Sequence, residues 1–172
     1  MIKSYLKVFA YFIFFVILQV LVLNNIQLFK FVIPLLYVYV IVKIPTNLTR
    51  TSIILISFAL GLVIDLFFNT LGLHAAACSF AGFFRGPLLK TFSDKDFFEG
   101  ATPSYRTLGI GGFIRYAFLL VLLHHTVLFL IESVSLFDPF FLALRIIGSV
   151  ILTSLCIFVV EAFNIERKGG DS

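Results

Sequence analysis

The 172-residue chain is 60% hydrophobic and only 13% charged, with a formal net charge of +4. Soluble domains are about one-quarter charged and less than half apolar, so this composition excludes a soluble enzyme, a secreted disulfide scaffold, a disordered chain and a nucleic-acid binder. Six membrane spans of about 20 residues would use roughly 120 positions and leave too few for a separate soluble domain. Residues 1–172 are therefore predicted to form a single all-α domain, a polytopic membrane protein with six transmembrane helices.

Six apolar runs predict spans at about residues 6–24, 29–44, 50–68, 71–89, 112–132 and 138–163. The first run has no small-x-small cleavage site after it, so we expect it to stay in the protein. The second is short and has Pro34 in its first turn, where a missing N–H costs least. The third and fourth are joined by a tight turn at Asn69 to Gly72, and residues 90–111 form the main hydrophilic loop.

The positions of Lys and Arg predict the orientation of these spans. With a cytoplasmic N-terminus, eleven of the thirteen basic residues lie on the cytoplasmic side, only Lys30 lies outside, and Arg145 falls within a span. An odd number of spans would move the basic tail outside. The distribution therefore predicts six spans with both termini in the cytoplasm.

Ionisable residues inside spans usually face protein or water rather than lipid. Asp65, His74, His124, His125 and Arg145 are such residues, and their estimated depths place them together in the outer half of the bilayer. Small residues on the third, fourth and sixth spans favour close packing of these helices. We therefore expect Asp65 and Arg145 to form an ion pair, and a structural tie is favoured over a catalytic pair.

Several kinds of chemical site are disfavoured by the residue spacing. Asp65, His74 and His125 have the ligand types of a metal site, but their spacing matches no zinc motif. The adjacent His124 and His125 point about 100° apart, so both cannot serve one small site well. Neither a Walker loop, an acid dyad nor a nucleophile with its base is present. We predict no metal, no cofactor and no enzymatic activity.

The cytoplasmic loop has two alternative interpretations. Its mixed charges and phenylalanines fit a docking site for a cytoplasmic partner, with Lys90, Lys95, Phe97 and Arg106 as candidates. An amphipathic segment lying on the inner leaflet explains the same pattern. Near the inner end of the sixth span, we expect Glu161 to snorkel towards the headgroups.

One segment resembles a known family. The sequence Gly61-Leu-Val-Ile-Asp65, followed by Asn69-Thr-Leu-Gly72-Leu-His74, resembles the rod shape-determining membrane protein MreD family. A short second span with Pro34 and a closing Ile44-Pro45 is also similar, as are the predicted six-span length, the cytoplasmic ends and the longer inner loop. The specific part of the resemblance is limited to residues 61–72.

The resemblance implies a non-enzymatic component of the bacterial cell-elongation machinery, located in the cytoplasmic (inner) membrane. Its implied partners, besides membrane lipid, are an MreC-type periplasmic coiled-coil protein and, more indirectly, a peptidoglycan glycosyltransferase, a transpeptidase and an actin-like filament. The family is also similar in architecture to the substrate-binding subunits of energy-coupling vitamin transporters. The alternative function is therefore a small-molecule or lipid-binding transporter subunit, with an outer-half pocket lined by Asp65, His74, His125 and Arg145.

Overall fold

A computed structural model describes residues 2–23, 32–93, 100–133 and 138–167, with side chains as far as residue 164. The described part of the chain forms six helices: α1 (Ile2–Leu21), α2 (Val38–Val42), α3 (Arg50–Phe68), α4 (Leu73–Phe92), α5 (Tyr105–Glu132) and α6 (Pro139–Arg167). Four of them, α1, α3, α5 and α6, are long and apolar enough to cross a membrane. The architecture is that of an all-helical, multi-pass membrane protein.

Consecutive helices pack side by side from α3 to α6, and α1 packs against α3 and α2. The tight turn expected between the third and fourth apolar runs is present. Asn69, with φ 54° and ψ 42°, ends α3 in the left-handed conformation, and Gly72, with φ 82°, precedes α4. Because only four residues join the two helices, α3 and α4 run antiparallel.

Helix α5 contains a break near its start. The side chains of Ser104 and Thr107 form a capping box at its first turn. Gly109 then has φ 68° and ψ 162°, values that lie outside the helical region and that glycine adopts without steric cost. The uninterrupted part of α5 therefore begins after Gly109, close to the start predicted for the fifth span.

The second predicted span is not a continuous helix, so the prediction of a transmembrane helix over residues 29–44 is wrong for its described part. We call residues 32–45 the core segment. Only Val38–Val42 within it is α-helical. Ile33 precedes Pro34, and the residue before a proline is biased away from the helical region. Except for Ile33, which is partly buried, the segment is buried along its whole length.

The core segment crosses most of the height of the helical bundle. Near its start, the Gln19 amide donates a hydrogen bond to the Pro34 carbonyl (2.9 Å), and two residues after its end, the Asn47 amide donates to the Ser4 hydroxyl (3.0 Å). Gln19 and Ser4 are fifteen residues apart on α1, which is about 22 Å along the helix axis. The segment thus runs antiparallel to α1 through the centre of the protein.

Candidate functional site

Tyr37 is the centre of a buried polar network near the start of α4. Its hydroxyl lies 2.6 Å from Nδ1 of His74 and 3.1 Å from Nε2 of His124, and all three residues are buried. Cys78 Sγ is 3.7 Å from the same His124 nitrogen. A hydroxyl has one proton, so it donates to one neutral ring and accepts from the other. The hydroxyl proton can point to either ring, and the hydrogen bonds require no net charge.

Asp65 joins this network to the turn between α3 and α4. Its Oδ1 accepts from the His74 backbone N–H (3.0 Å), its Oδ2 accepts from the Ala75 N–H (2.8 Å), and the Thr70 hydroxyl donates to Oδ1 as well. The carboxylate therefore caps the N-terminus of α4, where free N–H groups and the helix dipole favour a negative charge. The role of Asp65 visible in the fold is to lock the α3–α4 hairpin.

The glycines of the same motif allow this hairpin to close. A Cβ on Gly61 would collide with the carbonyl oxygen of His74 and with the backbone of Ala75. Gly72 occupies a left-handed conformation that L side chains rarely adopt. Gly61, Asp65, Gly72 and His74, predicted as one motif, are thus parts of one compact structural unit.

His125 belongs to a different set of contacts from its neighbour His124. Its Nδ1 lies 2.9 Å from the Val121 carbonyl, which can only accept, so Nδ1 bears the proton. Its Nε2 lies 3.1 Å from the Thr153 hydroxyl, which in turn accepts from the Leu35 N–H at 3.0 Å. The two adjacent histidine rings therefore serve separate partners, as their helical spacing indicated.

The ion pair expected between Asp65 and Arg145 does not form. Arg145 instead pairs with Glu132 at 3.0 Å, and its guanidinium lies 4.4 Å from the centre of the Phe129 ring. The prediction failed because α6 packs against α5, while both Asp65 oxygens are occupied by the start of α4. The polar residues predicted for the outer half therefore have three separate sets of partners: Asp65, His74 and His124 share one, while His125 and Arg145 each have their own.

A second buried polar cluster was missed by sequence reasoning. Lys43 donates to both carboxylate oxygens of Glu161, at 3.0 and 2.9 Å, and the Tyr39 hydroxyl donates to Glu161 at 2.5 Å. The Asn164 amide donates to the Tyr39 oxygen at 3.1 Å. Only 6% of the Lys43 side chain and 2% of the Glu161 side chain are exposed, so Glu161 does not snorkel. The sequence indicated this cluster only through the charge of Glu161 near the end of the sixth predicted span.

Polar side chains also satisfy the backbone of the core segment, which lacks a regular helical pattern. The Arg85 guanidinium donates to the carbonyls of Ile41, at 2.9 Å, and Ile44. Gln19, besides donating to Pro34, accepts from the Leu36 N–H at 2.8 Å. The Tyr116 hydroxyl donates to the Val42 carbonyl, and the Ser149 and Thr153 hydroxyls accept from the N–H groups of Ile33 and Leu35. Irregular backbone at membrane depth requires such internal partners, which explains these polar residues inside apolar runs.

The predicted docking residues lie near one end of the bundle or outside the described residues. Lys90 is exposed in the last turn of α4, and Arg106 is exposed in the first turn of α5. Lys95 and Phe97 lie outside the described residues, so their prediction stays open. Within the described ranges, no three His, Cys, Asp or Glu side chains are grouped to hold a metal ion.

Three cavities stand out in the described part of the chain, and Asp65, His74, His125 and Arg145 line none of them. Two are apolar grooves along α1, and the third lies between the ends of α3 and α4. None of these three cavities therefore reaches the predicted site residues of the buried polar network. Comparison with protein-family models, curated proteins and solved structures gives no match to this chain.

Proposed function

We propose that the chain is a non-enzymatic membrane scaffold of the MreD type, which organises peptidoglycan synthesis in an elongating bacterium through an MreC-type periplasmic coiled-coil partner. The supporting observation is the hairpin built by the resembling segment. Gly61 allows close approach of α4, Asp65 caps α4, and Gly72 makes the turn. Gly61, Asp65 and Gly72 each have a physical role in the α3–α4 hairpin, which gives a structural reason for these three residues to occur together.

The same proposal includes six passes with both termini in the cytoplasm of the inner membrane. Helix α4 is 20 residues long, or about 30 Å, and runs antiparallel to α3. The core segment supplies the second pass as a buried, mostly non-helical crossing. Lys7 contacts Thr102, Tyr5 contacts Ser52, and Arg115 lies over Phe92, which brings the basic starts of α1, α3 and α5 to one end. A positive end of this kind favours the cytoplasmic side.

The outer-half network supports a scaffold over a transporter subunit. Asp65, His74, His125 and Arg145 motivated a ligand pocket, but each has partners within the protein. Buried polar groups that are already paired have no strong reason to bind a ligand, since the ligand would have to replace existing bonds. The network therefore rigidifies the bundle in this proposal.

A periplasmic partner would reach the α3–α4 turn from outside. Leu71 in this turn is fully exposed, and Leu66 and Phe67 at the end of α3 are also largely exposed. Exposed apolar side chains on a rigid turn form a suitable contact for an apolar face of a partner helix. We therefore place part of the partner interface at this turn.

Complementation in a rod-shaped bacterium depleted of its own MreD-type protein tests the proposal. The wild-type chain should restore rod shape, whereas Leu71→Gln should restore it poorly at an equal membrane level. Ile131→Gln, which changes an exposed apolar residue in the last turn of α5, is the matched control. If depleted cells keep their shape and rate of wall synthesis, or if the wild-type chain fails to complement, the scaffold function is wrong.

A further inference from the structure

The cavity between α3 and α4 lies at the end of the bundle where α3 begins and α4 ends. It has a volume of about 810 Å³, far more than a water molecule needs, and opens to the outside of the protein. Arg50, Arg85 and Lys90 line it together with the hydroxyl residues Thr46 and Ser93. This cavity is separate from the buried network of Tyr37 and lies at the opposite end of α4.

The charge of this cavity has one sign. Among the residues that line it, three are basic and none is acidic. The ion pairs found in the described part of the chain join Lys43 to Glu161 and Arg145 to Glu132, so they leave the cavity's basic residues without a carboxylate partner there. A concave site of one sign concentrates the field and attracts an ion of opposite charge.

Two of the cavity's cations are held in place by contacts that do not neutralise them. Arg85, 2% exposed, is fixed by its bonds to the Ile41 and Ile44 carbonyls. The Arg50 guanidinium stacks on Phe83, 4.1 Å from the ring centre. Carbonyl dipoles and a ring face orient a guanidinium while leaving its charge intact. The basic groups are therefore preorganised around an open space.

The remaining wall of the cavity is apolar and has room. Leu48, Ile53 and Pro87 contribute to it, and a Cβ placed on Gly86 would meet nothing within 4 Å. A free inorganic anion would use only the basic part of such a site. A phospholipid would place its phosphate among the cations and the first part of its acyl chains along the apolar wall.

We propose that this cavity binds the phosphate head group of an anionic membrane lipid. Basic pockets between membrane helices are known to select such headgroups. Each basic residue near an anionic headgroup contributes a factor of roughly five in affinity. Lipid binding at this site requires only that the chain is embedded in a membrane, so this proposal is independent of the proposed scaffold function.

Native mass spectrometry of the full chain in mild detergent tests the charge requirement, with phosphatidylglycerol and phosphatidylcholine of identical acyl chains as probes. The wild-type protein should retain phosphatidylglycerol at least fivefold better. The double variant R50Q/K90Q should lose this preference, whereas K3Q/R115Q, which removes two basic residues outside the cavity, should keep it. Equal retention of both lipids by the wild type, or equal effects of the two double variants, would overturn the proposal.

A steric variant tests the location while leaving every charge in place. Gly86→Leu points a side chain into the open space, and glycine is the weaker helix former, so we expect a folded protein with reduced phosphatidylglycerol retention. Its thermal unfolding should match that of Gly86→Ala. If Gly86→Leu is folded and still retains the lipid like the wild type, the cavity is not the site.

Two further arms distinguish other sources of negative charge. Millimolar inorganic phosphate should not displace the lipid, and displacement together with phosphate binding would assign the site to a free anion. Asp94, Asp96 and Glu99 follow the cavity in sequence. Their amide variants should leave lipid retention unchanged. If only these variants bind lipid, the cavity's counter-charge is supplied by the chain itself and the proposal is wrong.

Discussion

The buried pair of Lys43 and Glu161 gives the sharpest stability prediction. The Glu161 carboxylate accepts three hydrogen bonds from two groups, two from the Lys43 ammonium and one from the Tyr39 hydroxyl. Lys43→Met removes the cation that pairs with Glu161 and leaves the buried carboxylate with the neutral Tyr39 hydroxyl as a donor. Such a broken pair costs about 3–5 kcal/mol. Glu161→Gln removes the carboxylate that pairs with the buried Lys43 ammonium, so we expect a similar loss.

The double variant separates this reasoning from a simple loss of contacts. Lys43→Met with Glu161→Gln removes both charges, and Gln still offers an oxygen to the Tyr39 hydroxyl. Replacing both members of a buried pair is often neutral, so the double variant should lie within about 2 kcal/mol of wild type. The two single effects should therefore be strongly non-additive.

Reversible unfolding in mixed detergent micelles measures these free energies. Arg145→Gln and Glu132→Gln are the matched controls, because this second pair is 23% and 39% exposed and should contribute no more than about 1 kcal/mol. If Lys43→Met costs as little as Arg145→Gln, or if the double variant is as unstable as the sum of its singles, the account of the buried pair is refuted.

The remaining stability predictions concern the hairpin and the core segment. Gly61→Ala should destabilise the protein by about 1–3 kcal/mol in the same unfolding assay, because the new Cβ collides with the α4 backbone. Gly86→Ala is the control, and it should be neutral or slightly stabilising because the space around Gly86 is open. Asp65→Asn removes the charge that caps α4 and should cost about 1–2 kcal/mol, which equal stability of the variant and the wild type would contradict. Thr153→Val leaves the buried Leu35 N–H without its hydrogen-bond acceptor and should cost about 1–3 kcal/mol. Ser154→Ala, the control, removes a buried hydroxyl that has no partner in the described residues and should cost little. Similar losses of stability in both variants would disprove the role of Thr153 in holding the backbone.

Hydropathy was sufficient to identify the long helices. The apolar runs around α1, α3, α5 and α6 are helices long enough to cross a membrane, and the turn at Asn69 to Gly72 lies where polar and glycine residues interrupt the longest run. These features are local, because they depend on the length of a run and on residues that favour turns. The break in α5 at Gly109 also depends on a local feature, the backbone conformation that glycine can adopt.

The second apolar run shows where hydropathy fails. Residues 32–45 are as apolar as a span, but prolines lie near both ends and only five of these fourteen residues are α-helical. A buried extended segment and a buried helix have the same composition, so periodicity alone cannot separate them. The decisive information lies in distant residues such as Gln19 and Arg85, which satisfy the backbone.

Several members of the polar network were predicted, but its pairings and its central residue were not. Asp65 and His74 are close, as expected, yet Arg145 pairs with Glu132 on the neighbouring helix. Depth in the membrane can be estimated from sequence, whereas the rotation and neighbours of each helix depend on packing throughout the bundle. Tyr37, the centre of the network, looked like any aromatic residue in an apolar run.

Co-purification from the membrane of a rod-shaped bacterium tests the central claim most directly. The tagged chain, extracted in mild detergent without cross-linking, should recover a bitopic periplasmic coiled-coil protein of the MreC type, and Leu71→Gln should recover less of it than Ile131→Gln at the same expression. Recovery of no such protein by the wild-type chain, from cells that contain it and under conditions that preserve the fold, would contradict the proposed scaffold function.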